Sequence, residues 1–131
     1  MRRLTLFVAV FTLFLAAAPV RAHHSFAAEF DASKPVALTG TVTKVEWTNP
    51  HVWFYADVKD ESGKVTNWGF EMGSPNGLMR AGWSRTSMKP GDVVSVEGSL
   101  AKDGSNTVNA RTVTLGSTGK KLFAASSQGQ Q

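Results

Sequence analysis

Residues 52–72, VWFYADVKDESGKVTNWGFEM, decide the fold. Two apolar runs, Val52–Val58 and Val65–Met72, flank Glu61-Ser62-Gly63, which suits a three-residue hairpin loop with glycine in the left-handed position. Asp60 then pairs with Lys64, and counting outward sets Val58 against Thr66, Ala56 against Trp68, Phe54 against Phe70 and Val52 against Met72. This nearly all-apolar set belongs inside a core. The opposite face pairs Asp57 with Asn67, Tyr55 with Gly69, Trp53 with Glu71 and His51 with Gly73. A slip of one residue would set Phe54 against Gly69 and Val52 against Glu71 and mix the faces, so the hydrophobic pattern selects the first register. The outer face carries a row of His51, Trp53 and Tyr55, with Glu71 alongside.

On either side of the hairpin, apolar runs of strand length recur at Val36–Trp47, Val93–Gly98 and Val108–Leu115, giving five short strands. The one helix signal falls between the third and fourth: Ser74 as N-cap, Pro75 as first helical residue, Leu78, Met79 and Trp83 as an apolar flank, and Gly82 near the end. Three strands, a short helix and two strands is the order of an all-β, five-stranded OB-like barrel. Another small sandwich or barrel with the same strand count is the runner-up, because spacing does not fix strand order. In the first strand, Val45 and Trp47 suit the interior while Leu38 and Val42 fall on the opposite parity. That points to a bulge near Thr43-Lys44 bending the strand around a barrel corner. Thr48-Asn49-Pro50 leads into His51, and proline's restricted backbone holds this turn in a defined direction.

The N-terminal segment reads differently. Met1-Arg2-Arg3, the apolar run from Leu4 to Ala18 and the small-residue pattern Val20-Arg21-Ala22 form a secretory signal peptide over residues 1–22. The run is short of the roughly 20 residues of a membrane span, and nothing later is continuously apolar, so no membrane span is expected after processing. The product is expected to be periplasmic or secreted and to begin at His23. Three of the 14 basic residues, Arg2, Arg3 and Arg21, leave with the leader and all 10 acidic residues stay, so the net charge falls from +4 to +1. That balance argues against nucleic acid as a partner. The mature chain is expected to divide into an arm over 23–35, the barrel over 36–123 and a flexible tail over 124–131. With no cysteine, thiolate metal sites, thiol nucleophiles and redox pairs are excluded.

His23-His24-Ser25-Phe26 directly after the leader, Gly40-Thr41-Val42, Trp47-Thr48-Asn49-Pro50-His51, Trp68 with Glu71, Gly82-Trp83 and Lys89-Pro90-Gly91-Asp92 together resemble an uncharacterised family of short exported bacterial proteins, a domain of unknown function. The likeness spans essentially the whole mature chain. It implies export and a small β-barrel, and no activity.

Candidate chemistry gathers at the histidines. An unblocked His23 offers its α-amine and a ring nitrogen to one metal, and a third nitrogen makes a good Cu(II) site. His51 on its fixed turn is the obvious third ligand and His24 the alternative. Zinc suits the same nitrogens with Glu71 or Asp31 completing a tetrahedron. Equally, a histidine pair at a terminus fits a solvated start without a role, and His51 fits a turn cap. Trp53 and Tyr55 form a candidate ligand face, or Tyr55 simply covers Gly69 while Phe26 and Phe30 of the arm lie over Trp53. Nothing has the spacing of a catalytic triad or phosphate loop, so the expectation is a binding protein and not an enzyme. An oxidative enzyme built on an N-terminal copper histidine is the residual alternative. The expected ligand is copper or another metal ion; the second reading is a metal-free module for a small ligand or an exported protein partner.

Overall fold

A computed structural model describes residues 26–126. The elements run α1 (Phe26–Glu29), β1 (Phe30–Glu46), β2 (Trp53–Lys59), β3 (Val65–Glu71), α2 (Pro75–Arg80), β4 (Val93–Ala101), β5 (Thr107–Leu115) and β6 (Lys121–Phe123). Pairing is antiparallel for β1 with β2, β2 with β3, β1 with β4 and β4 with β5. A short parallel ladder, Gly69 to Thr107, Phe70 to Val108 and Glu71 to Asn109, joins β3 to β5 and closes the ring. The result is the expected OB-like barrel with α2 between its third and fourth strands.

The β2–β3 register is the one the hydrophobic pattern selects, from Trp53 opposite Glu71 to Val58 opposite Thr66. Gly63 takes φ 88° in the loop, while Asp60 Oδ1 accepts from Ser62 N and Lys64 N at 2.9 Å each. Phe54 and Phe70 are buried and stack with centroids 4.7 Å apart. In β1, Val42 pairs with Ala56 and Lys44 with Tyr55, leaving Thr43 as the extra residue of a bulge. Inward positions change parity there, as Val42 and Val45 require. A second irregularity, between Glu97 and Gly98, leaves Arg111 of β5 as the extra residue. Ser74 caps α2, its Oγ accepting from Gly77 N at 3.1 Å. Leu78 and Trp83 are buried, but Met79 is 52% exposed, because so short a helix turns only a narrow face to the core.

Three boundaries differ from expectation. β1 starts at Phe30, not Val36: Phe30 pairs with Ala101 and Pro35 with Ser99 across an irregular stretch. The polar residues between them are largely exposed, so their composition reads as an arm although the backbone is a strand. A sixth strand, β6, was not anticipated; it pairs with Thr112–Thr114 of β5. It is three residues long and only Leu122 points inward, too little for a periodic signal. Finally, the expected flexible tail does not begin at Ala124. Ala124 N donates to Arg111 O and Ala124 O accepts from Gly73 N, both at 2.8 Å, and Ala124 and Ser126 are buried. A Cβ on Gly73 would lie 2.0 Å from Ala125 O, so the absent side chain is what admits this segment. Among the described residues no helix is long and apolar enough to cross a membrane.

Candidate functional site

His51 sits between the Asn49-Pro50 turn, whose peptide bond is cis, and the start of β2. Its position is pinned by the next residue: Val52 N donates to Gly73 O and Met72 N donates to Val52 O, both at 2.9 Å. The His51 side chain is 41% exposed, with Nδ1 3.4 Å from Glu71 Oε1. Among the described residues its other ring nitrogen, Nε2, has no hydrogen-bonding or charged partner.

Glu71 departs from the sequence reading. It stands on the outer face as expected, yet it is only 8% exposed. Barrel closure sets it beside Asn109, which is fully buried and donates from Nδ2 to Glu71 Oε1 at 3.1 Å. Burial, and then the negative charge of Glu29, push the Glu71 carboxyl up to about 7, partly offset by the Asn109 hydrogen bond. The contact with His51 is longer than the 2.7–2.9 Å of a charge-assisted hydrogen bond, so it orients the ring more than it holds the carboxylate ionised. Asn109 was missed in the sequence. Its signal was a lone amide between the buried Val108 and Ala110, which looks like an ordinary outward position until the strand opposite it is known.

The effect of Glu29 on Glu71 places the end of α1 close to the His51–Glu71 pair. Phe26 and Phe30 are buried and stack with centroids 5.9 Å apart, which fixes this segment. Trp53 and Tyr55 lie nearly parallel, 20° between planes and 6.5 Å between centroids. Both rings reach over Gly69, where a Cβ would meet Tyr55 at 3.3 Å and Trp53 at 3.6 Å. Tyr55 therefore does cover Gly69. Asp31 stands apart near the start of β1, its carboxylate accepting from Ser33 N and Oγ. Ser33's hydrogen bonds hold it below the usual carboxylate range. His23 and His24, like the expected leader over residues 1–22, lie outside the described residues. Among those residues no three histidine, aspartate or glutamate side chains converge as a metal-binding group.

These features define a small OB-like barrel with a histidine backed by a buried carboxylate at one edge. The chain belongs to the family of unknown function DUF6152, whose model matches residues 12–110. No curated protein matches it. Among solved structures it is similar to the N-terminal domain of the PriB protein from Thermoanaerobacter tencongensis, with 20% identity over 63% of this chain and 96% of that chain, at a TM-score of 0.43.

Proposed function

We propose that the protein is exported, loses residues 1–22, and binds a transition metal through the α-amine and ring of His23 together with Nε2 of His51. Copper(II) is the best match, since it favours imidazole and amine nitrogens in a tetragonal arrangement. His24 is the alternative nitrogen. The observation that carries the reading is the posture of His51: Nδ1 is turned to Glu71 at 3.4 Å and Nε2 is left without a protein partner among the described residues. A metal-binding histidine commonly has its second nitrogen turned to a carboxylate, which orients the ring. Glu71 is thereby a positioning residue, itself held by Asn109, in place of the direct ligand that its sequence position suggests.

The arm supports the same arrangement. Phe26 is anchored in the structure and Glu29 acts on Glu71. Only His24 and Ser25 lie between His23 and Phe26, a reach of roughly 10 Å at full extension, so a terminus at His23 stays within that distance of the anchored Phe26. The reading is one of binding without turnover.

Processing is the first test. Intact mass of the exported protein is expected to correspond to a start at His23, whereas a start at Ser25 or beyond would remove the chelate and end the proposal. With the native terminus in hand, acetylating it blocks the amine, and Cu(II) affinity is expected to fall by at least ~10-fold. Unchanged affinity would show that the amine is no ligand.

A further inference from the structure

A groove of about 570 Å³ runs between the end of α1, Trp53 and the β4–β5 loop, within the size range of small-ligand sites. Its walls differ in chemistry. One side is apolar and aromatic, formed by Trp53 and Phe30. Trp53 is braced from behind by Tyr55, so its ring is already oriented before anything binds. The other side carries Asp103, Ser105 and Thr107, with Glu29 at the rim.

The polar side offers mainly acceptors. Asp103 Oδ1 accepts from Ser105 N at 2.9 Å, and hydrogen bonds from Ser105 and from its own backbone N–H hold its carboxyl below the usual range. A carboxylate has about four lone-pair sites, so Asp103 keeps acceptor capacity for a ligand. Ser105 Oγ donates to Thr107 Oγ1 at 3.1 Å. Lys102 also lines the groove, its Nζ donating to Ala27 O. Among the described lining residues the carboxylates of Glu29 and Asp103 stand against the ammonium of Lys102, a balance that disfavours phosphates and nucleic acid. A purely apolar ligand would leave Asp103 desolvated and unmatched.

We infer that this groove binds a neutral saccharide, one sugar ring lying on Trp53 and its hydroxyls donating to Asp103 and exchanging hydrogen bonds with Ser105 and Thr107. A sugar ring has what both walls ask for: an apolar C–H face and a rim of hydroxyl donors. An organic cation answers the carboxylates, but it is best held by several aromatic faces enclosing it, and here one aromatic wall faces hydroxyls. The inference goes beyond the metal reading and does not depend on it.

The test is saturation-transfer NMR with tryptophan fluorescence on the mature protein in chelator, using cellobiose, maltose and diacetylchitobiose as probes and choline as the cationic comparator. At least one disaccharide is expected to bind with a Kd on the order of 1 mM. Trp53→Ala is expected to abolish that binding, and Asp103→Asn to weaken it about 10-fold, as for loss of a charge-assisted hydrogen bond. Asp103 lies on an exposed turn, so its variant reports on the groove even where Trp53→Ala disturbs folding. His51→Ala is expected to leave saccharide binding unchanged, which separates this site from the metal. Three results would overturn the inference: no transfer to any disaccharide at millimolar concentration, choline bound in their place, or a disaccharide bound equally well by both groove variants.

Discussion

Phe54→Ala is expected to lower the unfolding free energy by about 3–5 kcal/mol, the usual loss for truncating a fully buried phenylalanine. Phe54 has no exposed surface and stacks face to face on Phe70 at 4.7 Å, with the barrel wall closed around it by the β3–β5 ladder. The neighbouring ring is the control. Tyr55 points outward, lies over Gly69 and keeps part of its surface in solvent. Tyr55→Ala therefore loses one aromatic contact and little cavity, about 1 kcal/mol. Urea denaturation of the two variants at one pH measures the difference, and equal losses would mean that the faces of β2 are assigned the wrong way round.

Glu71→Gln is expected to stabilise the metal-free protein at alkaline pH and to do nothing at acidic pH. The folded carboxyl titrates at about 7, against 4.5 for an ordinary glutamate. A folded pKa above the unfolded one means that the native state holds this proton more tightly. Its stability advantage is whole below about pH 4.5 and is lost as the pH rises through about 7. The full swing is about 3 kcal/mol on the scale of 1.36 kcal/mol per pKa unit. Glutamine keeps an oxygen for the Asn109 amide and never ionises. The gap between variant and wild type is therefore expected to open from near zero at about pH 4.5 to about 2–3 kcal/mol at about pH 8. Denaturation curves in chelator across that range measure it. Because all other titrating groups are shared, a gap that stays constant with pH would show that Glu71 is ionised in the fold throughout.

Those two residues also show what was legible in the sequence and what was not. Phe54 was readable because its burial follows from local alternation: a one-residue slip would have put Glu71 into the core, so pattern and turn agreed on one register. The Thr43 bulge was readable for the same reason, as a change of parity within one strand. Burial of Glu71 was not readable. It depends on a parallel ladder to β5, whose Asn109 stands 38 positions away, and on an arm whose polar stretch after Phe30 hides a strand. β6 and the segment after it were missed because Ala124, Ala125 and Ser126 have small side chains without a hydrophobic period. They are held by backbone hydrogen bonds and by the space Gly73 leaves open. At the candidate site the sequence pointed to His51, Trp53, Tyr55 and Glu71, but the division of labour between an orienting carboxylate and a nitrogen left open required coordinates.

His51 is proposed as a metal ligand whose partner is the mature N-terminus. Calorimetric Cu(II) titration of the mature protein and of His51→Ala tests it most directly, paired with the thermal midpoint of each. Wild type is expected to bind at least ~10-fold more tightly than the variant and to unfold at a higher temperature with metal, since only the folded chain brings the two segments together. Superimposable isotherms, with no metal-dependent rise in the midpoint of the wild type, would contradict the account and leave His23 and His24 as a copper-binding terminus independent of the barrel.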